Sequence, residues 1–169
     1  WLAPLFKTIQ AVFKAEKKLL GICFGHQAIA MALGGKVVQS DKGWGIGHYQ
    51  NSWDKNKLAS ANNAAQNPLT DEQTSLTLLS FHQDQVVSLA QGFDTLAGSE
   101  FCPYYVTGFK NQVLTTQGHP EMSADYILAI VTLFEEKIGE KAAQQCRQSI
   151  QSHDDTLKFR QKICEFWKN

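Results

Sequence analysis

At 169 residues, with 43% apolar and 19% charged residues, the chain is the size of one ordinary domain and has apolar material for a real core, which excludes a disordered segment. Its 16 basic and 16 acidic residues cancel, so there is no basic surplus for a nucleic-acid partner. The four cysteines (Cys23, Cys102, Cys146, Cys164) have neither CxxC nor zinc-site spacing, and no secretory signal or membrane-spanning apolar run is present; reduced thiols and a cytoplasmic location fit best, with no metal or cofactor called for.

The elements follow in chain order. Trp1, Leu2, Leu5, Phe6, Ile9, Val12 and Phe13 recur at helical spacing and predict a helix laid on a core from its first residue. A domain rarely begins this way, which leads us to expect that upstream sequence precedes Trp1. Residues 17–22 read as a short strand, 27–33 as a second helix closed by Gly34-Gly35, and 36–39 as a strand. The three glycines in 40–47 read as a loop, and 48–53 as a strand. Residues 54–74 are polar and read as an exposed connection with room for one helical turn. Residues 76–81, 104–109 and 113–116 read as strands, the last two joined by a turn at 110–112. From Ser123 the pattern is helical, with Tyr126, Ile127, Ile130, Val131, Phe134 and Ile138 on one face; a further helix covers 155–167. This order predicts a single α/β domain over residues 1–169, with a layered sheet flanked by helices.

Two short motifs carry chemistry. Gly21-Ile22-Cys23-Phe24-Gly25 lies between a strand and a helix. A cysteine on such a turn is held in a strained conformation with its sulfur exposed above the sheet, and flanking glycines let the chain segments pack closely. The helix that follows offers free N–H groups and a positive dipole end that favour negative charge on the sulfur. The backbone N–H of Phe24 is placed to donate to an oxyanion. A buried structural thiol explains the pentapeptide equally well when it is taken alone. The second motif, Gln117-Gly118-His119-Pro120-Glu121, follows a strand. His119 can serve as general base towards Cys23, and Glu121 can orient the imidazole, with Pro120 stiffening the turn between them. Taken alone, Glu121 could equally be a capping carboxylate for the next helix. An elbow cysteine together with a strand-end His-Pro-Glu is hard to explain as packing.

Extended to Gly21-Ile22-Cys23-Phe24-Gly25-His26-Gln27 and paired with Gln117-Gly118-His119-Pro120-Glu121, the motifs resemble the two signatures of class I (triad-type) glutamine amidotransferase domains, including the GMP synthetase glutaminase. Gly34-Gly35-Lys36-Val37, Lys42-Gly43-Trp44-Gly45-Ile46-Gly47 and Phe81-His82-Gln83-Asp84-Gln85-Val86 resemble the segments between them. The resemblance implies a flavodoxin-like layered sheet with a nucleophile elbow, further strands ahead of the first helix, and a Cys23-His119-Glu121 triad. It implies L-glutamine as substrate, a glutamyl thioester, and ammonia delivered to an acceptor. Gln27 is expected to contact substrate, Gly45 and Gly47 to lie in the glutamine-binding loop, and His82 and Asp84 to line the site. His82 reads equally as a satisfied, half-buried histidine. His26 should turn away from Cys23, and His48 and His153 have no case beyond packing or surface roles. A second oxyanion donor is expected upstream of Trp1. Nothing after Glu121 resembles a synthetase, so a stand-alone protein or the glutaminase subunit of a synthetase partner chain is expected. Three other readings stay open: a γ-glutamyl peptide hydrolase of the same fold, a PfpI-like elbow protein, and a catalytically silent regulatory subunit.

Overall fold

The structure, a computed structural model, describes residues 1–54, 74–150 and 154–168. Most of the connection expected over 54–74, and His153, lie outside the described residues. Helix α1 (Leu2–Lys14) is amphipathic, with Ile9 buried and Leu5, Phe6, Val12 and Phe13 half-buried along one stripe. Trp1 departs from the expectation of core packing from the first residue: it is 81% exposed and lies over the Phe24 ring, with centroids 5.4 Å apart.

Strand β1 (Leu19–Ile22), helix α2 (Phe24–Ala32) and strand β2 (Lys36–Gln39) follow. Strand β3 (Gly45–Trp53) begins three residues before the expected 48, because Gly45, Ile46 and Gly47 pair with His82, Phe81 and Ser80 of β4 (Ser75–His82). Two glycines made that segment read as loop, and strand pairing overrode the local signal. Strands β5 (Asp84–Ser88) and β6 (Asp94–Gly98) were not anticipated; both are short and hold only two adjacent apolar residues, with no alternation to mark them. Strands β7 (Val106–Phe109) and β8 (Val113–Thr116) form the expected hairpin, although β7 starts after the anticipated 104.

The C-terminal part differs in detail from the expected pair of helices. Helix α3 (Ala124–Leu133) is capped by Ser123, whose side chain accepts the Tyr126 N–H, and it breaks before the single turn α4 (Glu135–Ile138). On the anticipated face Ile127, Val131 and Ile138 are buried, but Tyr126 and Phe134 are exposed. Helix α5 (Glu140–Ser149) carries a thin apolar stripe, Ala143 and Cys146, which is why its pattern was not noticed. Helix α6 (Thr156–Lys168) matches the expected terminal helix.

Six strands form one mixed sheet in the order β1-β8-β7-β6-β3-β4, with β1 and β8 parallel and every other neighbour pair antiparallel. Strands β2 and β5 form a separate antiparallel pair. Alternation along the strands splits the core in two. Leu76 and Leu78 point to one face with Trp53, Leu96, Tyr105, Val106 and Leu114, and are covered by Phe159 and Phe166 of α6. Leu79 points to the other with Ile46, and is covered by Ile127, Val131 and Cys146 of α3 and α5. Each fully buried phenylalanine of α6 contributes about 1.5–3 kcal/mol by area. Helices α1 and α2 share a further cluster built on Ile9, Ala28, Ile29 and Val113.

Candidate active site

The register of one strand pair assembles the two motifs. In the parallel β1/β8 pair Ile22 lies opposite Thr116, so the residues leaving both strands emerge at the same sheet edge, beyond the strands' carboxyl ends. Cys23 leaves β1 there and Gln117 leaves β8.

Cys23 is the single residue between β1 and α2. Its φ of 47° and ψ of −99° lie outside the left-handed helical basin, a conformation L-residues occupy at a cost of roughly 1–3 kcal/mol. Both of its backbone groups are tied: its N–H donates to the Thr116 carbonyl at 2.8 Å, and its carbonyl accepts the Gln27 N–H at 3.1 Å. A Cβ on Gly21 would sit 2.8 Å from the Gly25 carbonyl and the His26 nitrogen, so Gly21 lets β1 lie directly on the first turn of α2. Gly25 differs from the sequence expectation: a Cβ there would meet open space. Phe24 is the first residue of α2, so its N–H has no acceptor within the helix and is free to serve a ligand.

The second motif is fixed just as tightly. Gln117 N–H donates to the Tyr105 carbonyl at 2.8 Å, and His119 N–H to the Leu79 carbonyl at 2.7 Å. A side chain on Gly118 would collide with the buried Tyr105 hydroxyl. His119 Nδ1 lies 2.6 Å from Glu121 Oε1, and the imidazole lies near enough to the Cys23 sulfur for the two to influence each other electrostatically. Burial pulls the His119 pKa down, but the bonds and charges of Cys23 and Glu121 outweigh burial and hold it at about 9. Burial likewise pushes the Glu121 carboxyl up. The His119 bond, its own backbone N–H and the charges of His119 and Arg160 more than offset this and hold it below the usual carboxylate range. His119 thus stands between Glu121 and Cys23, and it keeps its proton up to about pH 9. Such a line can present a sulfur nucleophile beside a ready proton donor.

The neighbours of the line divide into those near the sulfur and those that serve packing. Gln117, fully buried, donates from Nε2 to Cys23 Sγ at 3.5 Å. The Gln27 amide nitrogen donates to Gln117 Oε1 at 3.1 Å and to the Asp84 carbonyl at 2.9 Å. Gln27 therefore sits within one side chain of the sulfur, and Asp84 contributes its backbone while its side chain is exposed. Gln117 is the residue that sequence reasoning passed over: it stood inside the quoted motif with no role given to it.

His82 is 4% exposed rather than half-buried, and Nδ1 lies 3.2 Å from the Asp84 carbonyl. Burial lowers its pKa to about 4, the nearby His119 charge acting in the same direction and the Asp84 bond against it. Its Nε2 has no partner among the described residues and lies against the α-carbon of Gly45, where a Cβ would come within 2.8 Å of it. Gly47, at φ 96°, faces the Ser149 hydroxyl and the Cys146 backbone of α5, so its lack of a side chain also admits that helix. His26 turns away from the sulfur as expected: it is 1% exposed, bonded to Thr115 Oγ1 at 2.7 Å, and burial together with the neighbouring His82 lowers its pKa to about 3. His48 pairs with Asp154 at 3.2 Å, joining β3 to the start of α6. Among the described residues no His, Cys, Asp and Glu side chains cluster as a metal site, and no helix is long and apolar enough to cross a membrane.

Known proteins place these observations in a family. Gamma-glutamyl peptidase 4 of Arabidopsis thaliana is 30% identical over 167 residues, covering 98% of this chain and 65% of that protein. A GMP synthase [glutamine-hydrolyzing] of Dehalococcoides mccartyi is 34% identical over 121 residues, covering 72% of this chain and 20% of that protein. The chain thus spans less than two-thirds of either relative. In three dimensions it resembles a glutamine amidotransferase from Methylobacillus flagellatus with a TM-score of 0.74 at 17% identity, covering 99% of this chain and 69% of that one, a likeness of fold. The family model for glutamine amidotransferase class-I matches residues 2–126. Every strand of the sheet and both motifs fall within that span, and the chain belongs to the class-I glutamine amidotransferase family.

Proposed function

We propose that this protein cleaves the γ-amide bond of glutamine through a thioester on Cys23, and releases ammonia for an acceptor. The observation that carries this reading is the Cys23–His119–Glu121 line, in which His119 is held protonated beside a sulfur on a strained elbow. The Cys23 sulfur attacks the side-chain amide carbon of glutamine. The developing oxyanion takes the N–H of Phe24. His119 gives its proton to the amide nitrogen, the C–N bond breaks, and ammonia leaves. The now neutral His119 accepts a proton from water as that water attacks the thioester, returning glutamate and the starting ion pair. Glu121 keeps the imidazole in register throughout. Gln27 and the Gly45–Gly47 segment bear the substrate; His82 and the Asp84 backbone hold their geometry. The ammonia acceptor belongs to a synthetase-type partner chain or to free solution.

A second reading has its own support. The Arabidopsis relative matched along 98% of this chain carries the name gamma-glutamyl peptidase. A γ-glutamyl peptide offers the same acyl group, with an amine in place of ammonia, and the same line of residues would serve. The test measures glutamate release from glutamine and from a panel of γ-glutamyl dipeptides, with Cys23→Ser alongside. It is joined to labelling by a diazoketone analogue of glutamine and peptide mapping. We expect label on Cys23 and release that vanishes in the variant. Label on another cysteine, or release unchanged by Cys23→Ser, would overturn both readings; release from the dipeptides alone would select the second.

A further inference from the structure

We infer that Arg160 is a positioning residue for the His119–Glu121 pair, acting through the carbonyl of Pro120; this rests on the reading of His119 as the proton donor. Arg160 lies outside the matched span 2–126 and outside both motifs. Its Nε donates to the Pro120 carbonyl at 2.5 Å, across forty positions of sequence.

The contact matters because of what lies at its other end. Pro120 is buried and has no N–H, so its carbonyl is the one hydrogen-bonding group its backbone has. That carbonyl shares a peptide plane with the N–H of Glu121. Fixing the plane fixes the direction in which the Glu121 side chain leaves the backbone, and so the 2.6 Å approach to His119 Nδ1. Of the other backbone ties of the turn, those from the Gln117 and His119 N–H groups lie ahead of Pro120, and the Met122 N–H closes behind it onto the His119 carbonyl at 3.3 Å; none of them takes the Pro120 carbonyl, which Arg160 holds.

The tether can transmit position because α6 is itself held. Asp155 N–H donates to the Thr77 carbonyl and Thr77 N–H to Asp155 Oδ2, both at 2.9 Å, which pins the start of the helix to β4. Phe159, next to Arg160, is 3% exposed in the core and stacks near Trp53. Phe166 is fully buried, and its carbonyl accepts the Lys18 ammonium beside β1. Arg160 therefore reaches out from a segment anchored at both ends. Its charge also helps to hold Glu121 ionised, the smallest of the influences on that carboxyl.

Arg160→Gln and Arg160→Asn separate tether from charge. Glutamine carries an amide nitrogen at the chain position of the arginine Nε, whereas asparagine is one methylene too short to reach; both remove the charge. The readouts are kcat and KM for glutamate release and the far-downfield proton signal of His119 Nδ1–H. We expect Arg160→Gln to keep the downfield signal and to hold kcat within about threefold. Arg160→Asn should shift or lose the signal and lower kcat roughly tenfold with KM little changed, as fits loss of one charge-assisted hydrogen bond. A signal and kcat left intact in Arg160→Asn would overturn the inference, and so would equal losses in the two variants. The signal does not depend on turnover. Absent glutamate release with the expected signal pattern would therefore count against the proposed reaction and leave the tether standing.

Discussion

Replacing Glu121 by glutamine should move the titration of His119 by about one pH unit. The change keeps the side chain's shape and an oxygen able to accept from Nδ1–H, and removes only the charge. A hydrogen bond to a charged partner contributes about 1.5–3 kcal/mol and a neutral one about 0.5–1.5 kcal/mol. The Glu121 side chain is 48% exposed, so solvent screening places the difference towards the low end, roughly 1 kcal/mol. At 1.36 kcal/mol per unit, the His119 midpoint should fall from about 9 to about 8. Cys23 also raises this pKa, so Cys23→Ala should lower it as well. The assay is NMR titration of the imidazole Cε1–H in histidine-labelled protein, with the five histidines assigned by single substitution. In the pH–rate profile the alkaline limb should move with it, because on the proposed mechanism His119 carries the proton that the leaving nitrogen takes. The linked stability has a definite sign. A histidine whose pKa is raised on folding stabilises the fold fully below its unfolded value near 6.5, and that contribution is lost as pH rises through about 9. Thermal stability should therefore fall across pH 6.5–9, and by less in Glu121→Gln. An unmoved or raised midpoint in Glu121→Gln would refute the account of what holds His119 protonated.

Other substitutions test separate parts of the site. Cys23→Ser should lower glutamate release by roughly 10³-fold or more with the circular dichroism spectrum unchanged, and His119→Ala should be about as damaging. Glu121→Gln should be milder than either, and the opposite order would reverse the assigned roles. Gly21→Ala forces a Cβ to 2.8 Å from the backbone of α2, an overpacking cost of about 1–3 kcal/mol that a melting curve would record as a lower Tm. Gln117→Leu removes the donor to the Cys23 sulfur and leaves the Gln27 amide short of one acceptor; it should slow alkylation of Cys23 by iodoacetamide roughly tenfold.

The motifs that hold Cys23, His119 and Glu121 were legible in sequence because their parts have local causes. An elbow needs Gly21 beneath the helix turn, and a side-by-side His-Pro-Glu needs only a strand end to present it. What made those parts meet, the parallel pairing of β1 with β8, is a contact across ninety residues that no window of sequence reports. The same holds for β5 and β6: Asp84-Gln85-Val86-Val87-Ser88 and Asp94-Thr95-Leu96-Ala97-Gly98 become strands through their partners, against weak propensity. Gly45 and Gly47 misled for a related reason, since glycine reads as loop while here one admits His82 and the other admits α5. Gln117 was visible yet unassigned, because its value depends on where its amide points. Arg160 gave no signal at all, an exposed cation on a polar helix face being the commonest thing a surface holds.

The backbone at Cys23 sets two demands on one position against each other. With φ at 47°, folding alone would favour glycine there, the one residue for which that conformation costs little. The proposed chemistry requires a thiol. A lineage released from the need to cleave amides would therefore gain stability by the very substitution that erases its nucleophile. A cysteine kept at this elbow bears a standing thermodynamic penalty, whereas a glycine in its place would relieve the backbone and leave the fold without that nucleophile.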